Sequence, residues 1–183
     1  MSEPSVRRGV PDDARAIAEI HVAGWRHAYR SLVPDHVLAE LSVDAREAIW
    51  ARTLAAEDGS VWVAERPGRL LGFVSSGPSV DAGAEPDTGQ VYAIYLEPDE
   101  IGRGLGRALF ARATEDLRLR GFRRATLWVM ASNEPGRRFY EAAGWRPDGA
   151  SQTEEVRGAP IEEVRYAIDL GADVGITGSP PAS

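Results

Sequence analysis

The chain contains no cysteine. This excludes disulfides, thiolate metal sites and a cysteine nucleophile. Lysine is also missing, and all 21 basic residues are arginine. Only three histidines occur, none in H-x-x-x-H spacing, so the sequence offers no metal constellation. No apolar run approaches the roughly 18 residues that would span a bilayer. Met1-Ser2-Glu3-Pro4 lacks the basic segment and apolar stretch of a secretory signal, so the expectation is a cytoplasmic protein without a membrane partner. Positive charge is in deficit: 21 basic against 28 acidic residues give a net charge of −7. That balance argues against a broad phosphate-tracking surface, hence against a nucleic-acid partner, but permits a local basic pocket.

What is present suits a single domain with a hydrophobic core: 183 residues, 43% of them hydrophobic and 27% charged. Val6-Arg7-Arg8 reads as a first strand, and Pro11-Asp12-Asp13 supplies carboxylates to cap a following helix. On that helix Ala14, Ile17, His21, Gly24 and Ala28 share one face, while Val22, Trp25 and Tyr29 line the next. Pro34 and Ser42 open two further helices, ending near Ala55-Ala56. Ser60 to Arg66 and Leu70 to Ser76 form a hairpin across Pro67-Gly68-Arg69, and Ser79 to Asp87 reads as a mobile loop. Val91 to Leu96 is the next strand. A helix from about Gly104 to Arg120 follows, with Leu105, Leu109, Ala113 and Leu117 as its core stripe. Arg124 to Met130 is a strand, Asn133 to Ala143 a short helix, and Trp145 to Thr153 pairs with Ile161 to Leu170. This order predicts an α+β (α/β layered) fold over residues 1–170, followed by a disordered tail at 171–183.

Ile101-Gly102-Arg103-Gly104-Leu105-Gly106-Arg107 carries the first chemical signal. Three alternating glycines join a strand end to a helix start. Glycine permits positive φ and close backbone approach, so successive N–H groups can point at one anion beside the positive end of the helix dipole. Arg103 and Arg107 add full charges, and the whole reads as a pyrophosphate cradle. A nucleoside-triphosphate loop would end in Gly-Lys-Ser/Thr, whereas this one ends in Gly106-Arg107-Ala108. A dinucleotide fingerprint would place its third glycine three positions after the second; here Gly106 follows Gly104 by two.

The second signal is Asn133 to Trp145, with Asn followed seven residues later by Tyr140 and four more by Gly144. Paired with the glycine bend, this segment resembles the GNAT superfamily of acetyl-CoA-dependent N-acetyltransferases. The resemblance implies a mixed, mostly antiparallel twisted sheet of about seven strands with helices on both faces. It implies acetyl-CoA as co-substrate, no metal, and a small amine or peptide N-terminus as acceptor in a ternary complex. The backbone of Ile94, Tyr95 and Leu96 would hold the acetyl carbonyl and the pantetheine amides. Amides from Ile101 and Gly102 through Arg107 would hold the pyrophosphate. Asn133 would bind the pantetheine arm or order the strand–helix junction, with Arg137 on the same helix, and Tyr140 would face the sulfur. Ile101 departs from the family's usual Arg or Gln, and Gly136 from its common alanine. With no lysine, the chain offers no lysine acceptor of its own. The oligomeric state, a homodimer included, stays open.

The chemistry needs a proton acceptor, since an alkylammonium of pKa ~10 is about one part in a thousand neutral at pH 7. It also needs an acid for the thiolate, and Tyr140 fits. With unperturbed values that transfer is uphill by about 2 kcal/mol. Glu97, just past the reactive strand, is the candidate base; Glu85, Asp87, Glu155 and a water chain are alternatives. Trp25 and Tyr29 either wall the acceptor site or pack in the core. A non-catalytic acyl-CoA-binding or sensing module is the competing reading.

Overall fold

The computed structural model describes residues 3–171. From residue 172 on, the expected disordered tail lies outside the described residues. Seven strands form one mixed sheet: β1 Ser5–Arg8, β2 Ser60–Arg66, β3 Arg69–Pro78, β4 Thr88–Leu96, β5 Arg124–Met130, β6 Arg146–Val156 and β7 Ala159–Asp169. Their spatial order is β1-β2-β3-β4-β5-β7-β6. Only β4 and β5 run parallel; every other neighbouring pair is antiparallel. The helices are α1 Ala14–Ala28, α2 Asp35–Ala39, α3 Val43–Ala55, α4 Leu105–Leu119 and α5 Glu134–Ala142.

Strand alternation explains why both faces are covered. On β2, Val61 and Val63 pack with Ile17 and Ile20 of α1 and Trp50 of α3. The intervening Trp62 and Ala64 pack with Leu109, Phe110, Ala113 and Leu117 of α4. Between Ser75 and Ser76 of β3 the register to β4 shifts: Ser75 faces Ala93 and Ser76 faces Val91, leaving Tyr92 as an extra residue. Such a bulge bends its strand. On the opposite side, β4 pairs with β5 only at Thr88↔Arg124, Gly89↔Ala125 and Gln90↔Thr126. Beyond those three pairs the two strands part. The sheet is split from Val91 onward.

Two local expectations are corrected. Asp13 does not cap α1: its carboxylate accepts from Val10 N–H at 2.8 Å and from Arg7 at 2.7 and 3.0 Å, because Pro11–Asp13 forms a 3-10 turn that faces it toward β1. The Ser79–Asp87 loop is fastened: Asp81 accepts from Trp128 Nε1 at 2.8 Å and from Arg165 Nη1 at 2.9 Å, and Gln90 accepts from Val80 N–H at 3.0 Å.

His21 is buried on α1, where its Nδ1 accepts from Trp50 Nε1 at 3.1 Å and its ring stacks on Tyr95 at 4.9 Å. Burial, and to a lesser degree Arg46, lowers its pKa from 6.5 to about 3. Its neutral form therefore supports folding above pH 6.5. That support is lost as pH falls toward 3, by about 2 kcal/mol at pH 5. Thermal melts at pH 7 and pH 5 should show this loss in the native chain. In His21→Leu the difference between the two melts should shrink by about that amount.

Candidate active site

The split sheet opens a cleft of about 410 Å³. One wall is β4 from Tyr92 to Leu96; the other is Trp128, Val129 and Met130 of β5 with Asn133, Phe139 and Tyr140 beyond it. Along this stretch β4 bonds to β3 on one edge only, so its other edge is free to pair with an amide-bearing ligand in the manner of an added strand. Ile94, Tyr95 and Leu96 all line it.

Leu96 leads into the glycine bend. Gly102 and Gly104 have φ of +82° and +86°, and Gly104 is the N-cap of α4 in the left-handed region. No backbone hydrogen bond among the described residues uses the N–H groups of Ile101 through Arg107. These seven consecutive donors lie at the positive end of a 15-residue helix. Leu105 places its side chain in the core, which anchors the bend. Arg103 and Arg107 are exposed and, among the described residues, make no ion pair. Ile101 lines the cleft mouth and is 52% exposed. Nothing lies within 4 Å of a Cβ built at Gly104, so Gly104→Ala acts through φ alone, at roughly 1–2 kcal/mol. The alanine loop should relax away from the cradle and weaken acetyl-CoA binding by about 5- to 30-fold by calorimetry. An unchanged affinity would refute the cradle.

At the cleft's inner end, Tyr140 packs against Phe110 at 5.3 Å, Phe139 at 5.4 Å and Tyr166 at 6.2 Å. Its hydroxyl makes no hydrogen bond among the described residues. Burial, then the neighbouring Tyr29, holds its pKa above the ordinary phenol value. Tyr29 and Tyr95 share a hydroxyl–hydroxyl hydrogen bond of 3.2 Å, and burial raises both of their pKa values. Gly24 lets α1 come this close, since a Cβ there would stand 2.6 Å from Tyr95 Cδ1.

The remaining residues singled out from sequence sort clearly. Asn133 caps α5, its Oδ1 accepting from Gly136 N–H at 3.1 Å. A Cβ at Gly136 would lie 2.7 Å from Asn133 Nδ2, so the glycine makes room for this cap. Arg137 lies outside the cleft lining; it donates to Ala131 O at 3.0 Å and Tyr166 Oη at 3.2 Å, tying α5 to β5 and β7. Trp25 stands behind the cleft, edge-on to Tyr29 at 4.7 Å, while Tyr29 itself lines it. Glu97 also lies outside: its N–H is still held by Leu71 O, and its carboxylate is 3.8 Å from Arg69 Nη2, beside Asp99. Three titratable groups that sequence reasoning did not place in the cleft do line it, Glu163 of β7, His27 of α1 and Tyr92 of β4. A signal for Glu163 existed: it shares strand parity with the buried Ala159 and Ile161, so a charge occupies an inward position. Among the described residues, no group of three histidine or acidic side chains is arranged to hold a metal, and no helix is long and apolar enough to cross a membrane.

Known proteins share this architecture. The model of the acetyltransferase (GNAT) family matches residues 19–145. An uncharacterized N-acetyltransferase of Bacillus subtilis, YuaI, is 34% identical over 163 residues, covering 87% of this chain and 90% of its own. A probable N-acetyltransferase of Mycobacterium tuberculosis is 26% identical over 178 residues, 93% of this chain and 96% of its own. The structure of YncA, a putative acetyltransferase from Salmonella typhimurium with its cofactor acetyl-CoA, shares the fold with a TM-score of 0.71 at 22% identity, covering 100% of both chains. The family match spans the glycine bend, the split between β4 and β5 and the tyrosine helix together, and so this chain belongs to the GNAT family and is an acetyl-CoA-dependent acyltransferase.

Proposed function

We propose that the chain, with residues 1–170 as one acetyltransferase domain, moves the acetyl group of acetyl-CoA directly onto a primary amine in a ternary complex. The acceptor is a small amine or a peptide N-terminus. One observation carries this reading: seven unclaimed amides lead into a cleft whose far end holds an unpartnered tyrosine hydroxyl. The bend from Ile101 to Arg107 suits a pyrophosphate, and the free edge of β4 suits the pantetheine amides. Acetyl-CoA supplies the activated thioester; the chain supplies position and proton transfer. A backbone N–H near Ile94 faces the negative charge that develops on the carbonyl oxygen. Tyr140 gives a proton to the departing sulfur as the C–S bond breaks. Its raised pKa makes it a weak acid on its own, so this transfer must be concerted with release of a proton from the attacking nitrogen.

Calorimetric titration with acetyl-CoA tests the first half, and absence of binding at millimolar concentration ends the reading. A screen of primary amines for thiol release tests the second. Intact acetyl-CoA binding with no transfer to any amine would make the chain a sensing module instead.

A further inference from the structure

Glu97 lies outside the cleft, so the proton leaving the acceptor ammonium needs another destination. Counting on from the last β4–β5 pair, Gln90↔Thr126, with the extra residue at Tyr92 allowed for, brings Tyr95, next to Ile94, to about the height of Met130 on the other wall. Glu163 of β7 is the register partner of Met130. It therefore stands level with the part of β4 assigned to the acetyl carbonyl. It also lines a second groove of about 700 Å³, which adjoins the cleft through Tyr92, Trp128 and Glu163 itself. The glycine bend occupies the opposite end of β4. The groove is thus a separate approach for the second substrate.

We propose that Glu163 is the catalytic base that takes the proton of the acceptor ammonium arriving along this groove. The proposal rests on the acetyl-transfer reading above. An N–H of the ammonium gives its proton to Glu163, whose carboxylate becomes a carboxylic acid. The freed nitrogen lone pair attacks the thioester carbon, the C–N bond forms and the C–S bond breaks. The nitrogen's second proton replaces the one Tyr140 passes to sulfur, and Glu163 returns its proton to water in the groove. Overall, ammonium and thioester become amide, thiol and one released proton.

The surroundings of Glu163 suit a base and not an ion pair. Its single hydrogen bond is from Gln152 Nε2 at 2.7 Å. Among the described residues no cation pairs with it, and the nearby Arg165 is held by Asp81 and Asp148, both at 2.9 Å. Tyr29, just past α1, lines the cleft with it, and Glu154 of β6 lines the groove with it; both lie close enough to interact electrostatically. Burial raises the Glu163 pKa, Gln152 opposes this and Glu154 adds to it. A carboxylate raised in this way is closer in basicity to the ammonium it must deprotonate. His27 also lines the cleft; it is exposed and does not line the groove, while burial raises the pKa values of the lining tyrosines Tyr29, Tyr92, Tyr95 and Tyr140.

The test compares acceptors that need a base with acceptors that do not. Ethylamine and 2,2,2-trifluoroethylamine, run beside the best amine of the screen, differ in that the fluorinated one is neutral at pH 7. Glu163→Gln should lower kcat/KM about 100-fold for ethylamine and the screened amine, with acetyl-CoA affinity unchanged. For trifluoroethylamine the loss should be about threefold or less. In Glu163→Gln the rate with ethylamine should also keep rising with pH where the native profile levels off. Glu163→Asp should recover part of the activity and guards against simple misfolding. Equal losses with basic and neutral amines, or no loss, overturn the proposal. Selective loss in His27→Gln in place of Glu163→Gln gives the role to His27 and overturns it as well. A native chain that binds acetyl-CoA and transfers to nothing removes the acetyl-transfer reading itself, and the proposal with it. Transfer that is indifferent to Glu163 removes only the proposal.

Discussion

Tyr140→Phe is expected to reduce kcat about 100- to 1000-fold while leaving acetyl-CoA affinity within about twofold. The ring stays in place, because its contacts with Phe110, Phe139 and Tyr166 do not use the oxygen. Only a hydroxyl without a protein partner is deleted. The ring is half-buried, and Tyr140 lines the cleft with no protein hydrogen bond to its hydroxyl. On the proposed reading its partner is the reacting sulfur. Removing the oxygen leaves a thiolate to depart without a proton, a penalty that appears in the chemical step and not in ground-state binding. Steady-state turnover set against calorimetric affinity decides the matter: turnover that survives the substitution refutes the acid role.

The second large effect is on stability. Replacing a glycine inside a helix normally helps, since glycine is among the poorest helix formers. At Gly24 the sign should reverse. A Cβ meets Tyr95 at 2.6 Å on Cδ1 and 3.1 Å on Cβ, and the Tyr95 ring is locked between His21 at 4.9 Å and Phe73 at 6.0 Å. Gly24→Val adds two methyl groups to that contact. It should cost about 3 kcal/mol, lowering Tm by about 6–12 °C. Because Tyr95 can yield only by moving relative to Tyr29, the hydroxyl pair should break and activity should fall more than stability. A Tm within about 2 °C of the native value would show that α1 can slide to make room.

The glycine bend was legible from sequence because everything it needs is local. A strand end, alternating glycines and a helix start lie within a few residues, and both positive φ values fall on those glycines. The order of strands and helices was legible for the same reason, and the seven-stranded mixed sheet follows it. For Asn133 the resemblance implied either a contact to the pantetheine arm or the ordering of a strand–helix junction; it caps α5, and it also lines the cleft. Tyr140 was placed at the site by the family resemblance that its spacing to Asn133 and Gly144 carries, and it lies in the cleft. What sequence could not deliver was register. Glu163 meets Met130 across 33 positions of chain, and Tyr29 meets Tyr95 across 66. Glu97 was attractive only because it adjoins the reactive strand. Its backbone hydrogen bond to Leu71 and the nearby Arg69 carry its carboxylate elsewhere. Arg137 likewise sits one turn before Tyr140, yet its guanidinium is committed to Ala131 and Tyr166.

The extra residue at Tyr92 has a mechanical meaning. With only Thr88, Gly89 and Gln90 joined to Arg124, Ala125 and Thr126, the sheet consists of two jaws on a short pivot. One jaw carries β1 to β4, the other β5, β7 and β6. A ligand that grips both adds a further tie to those that Asp81 already makes with Trp128 and Arg165, and so stabilises the two halves jointly.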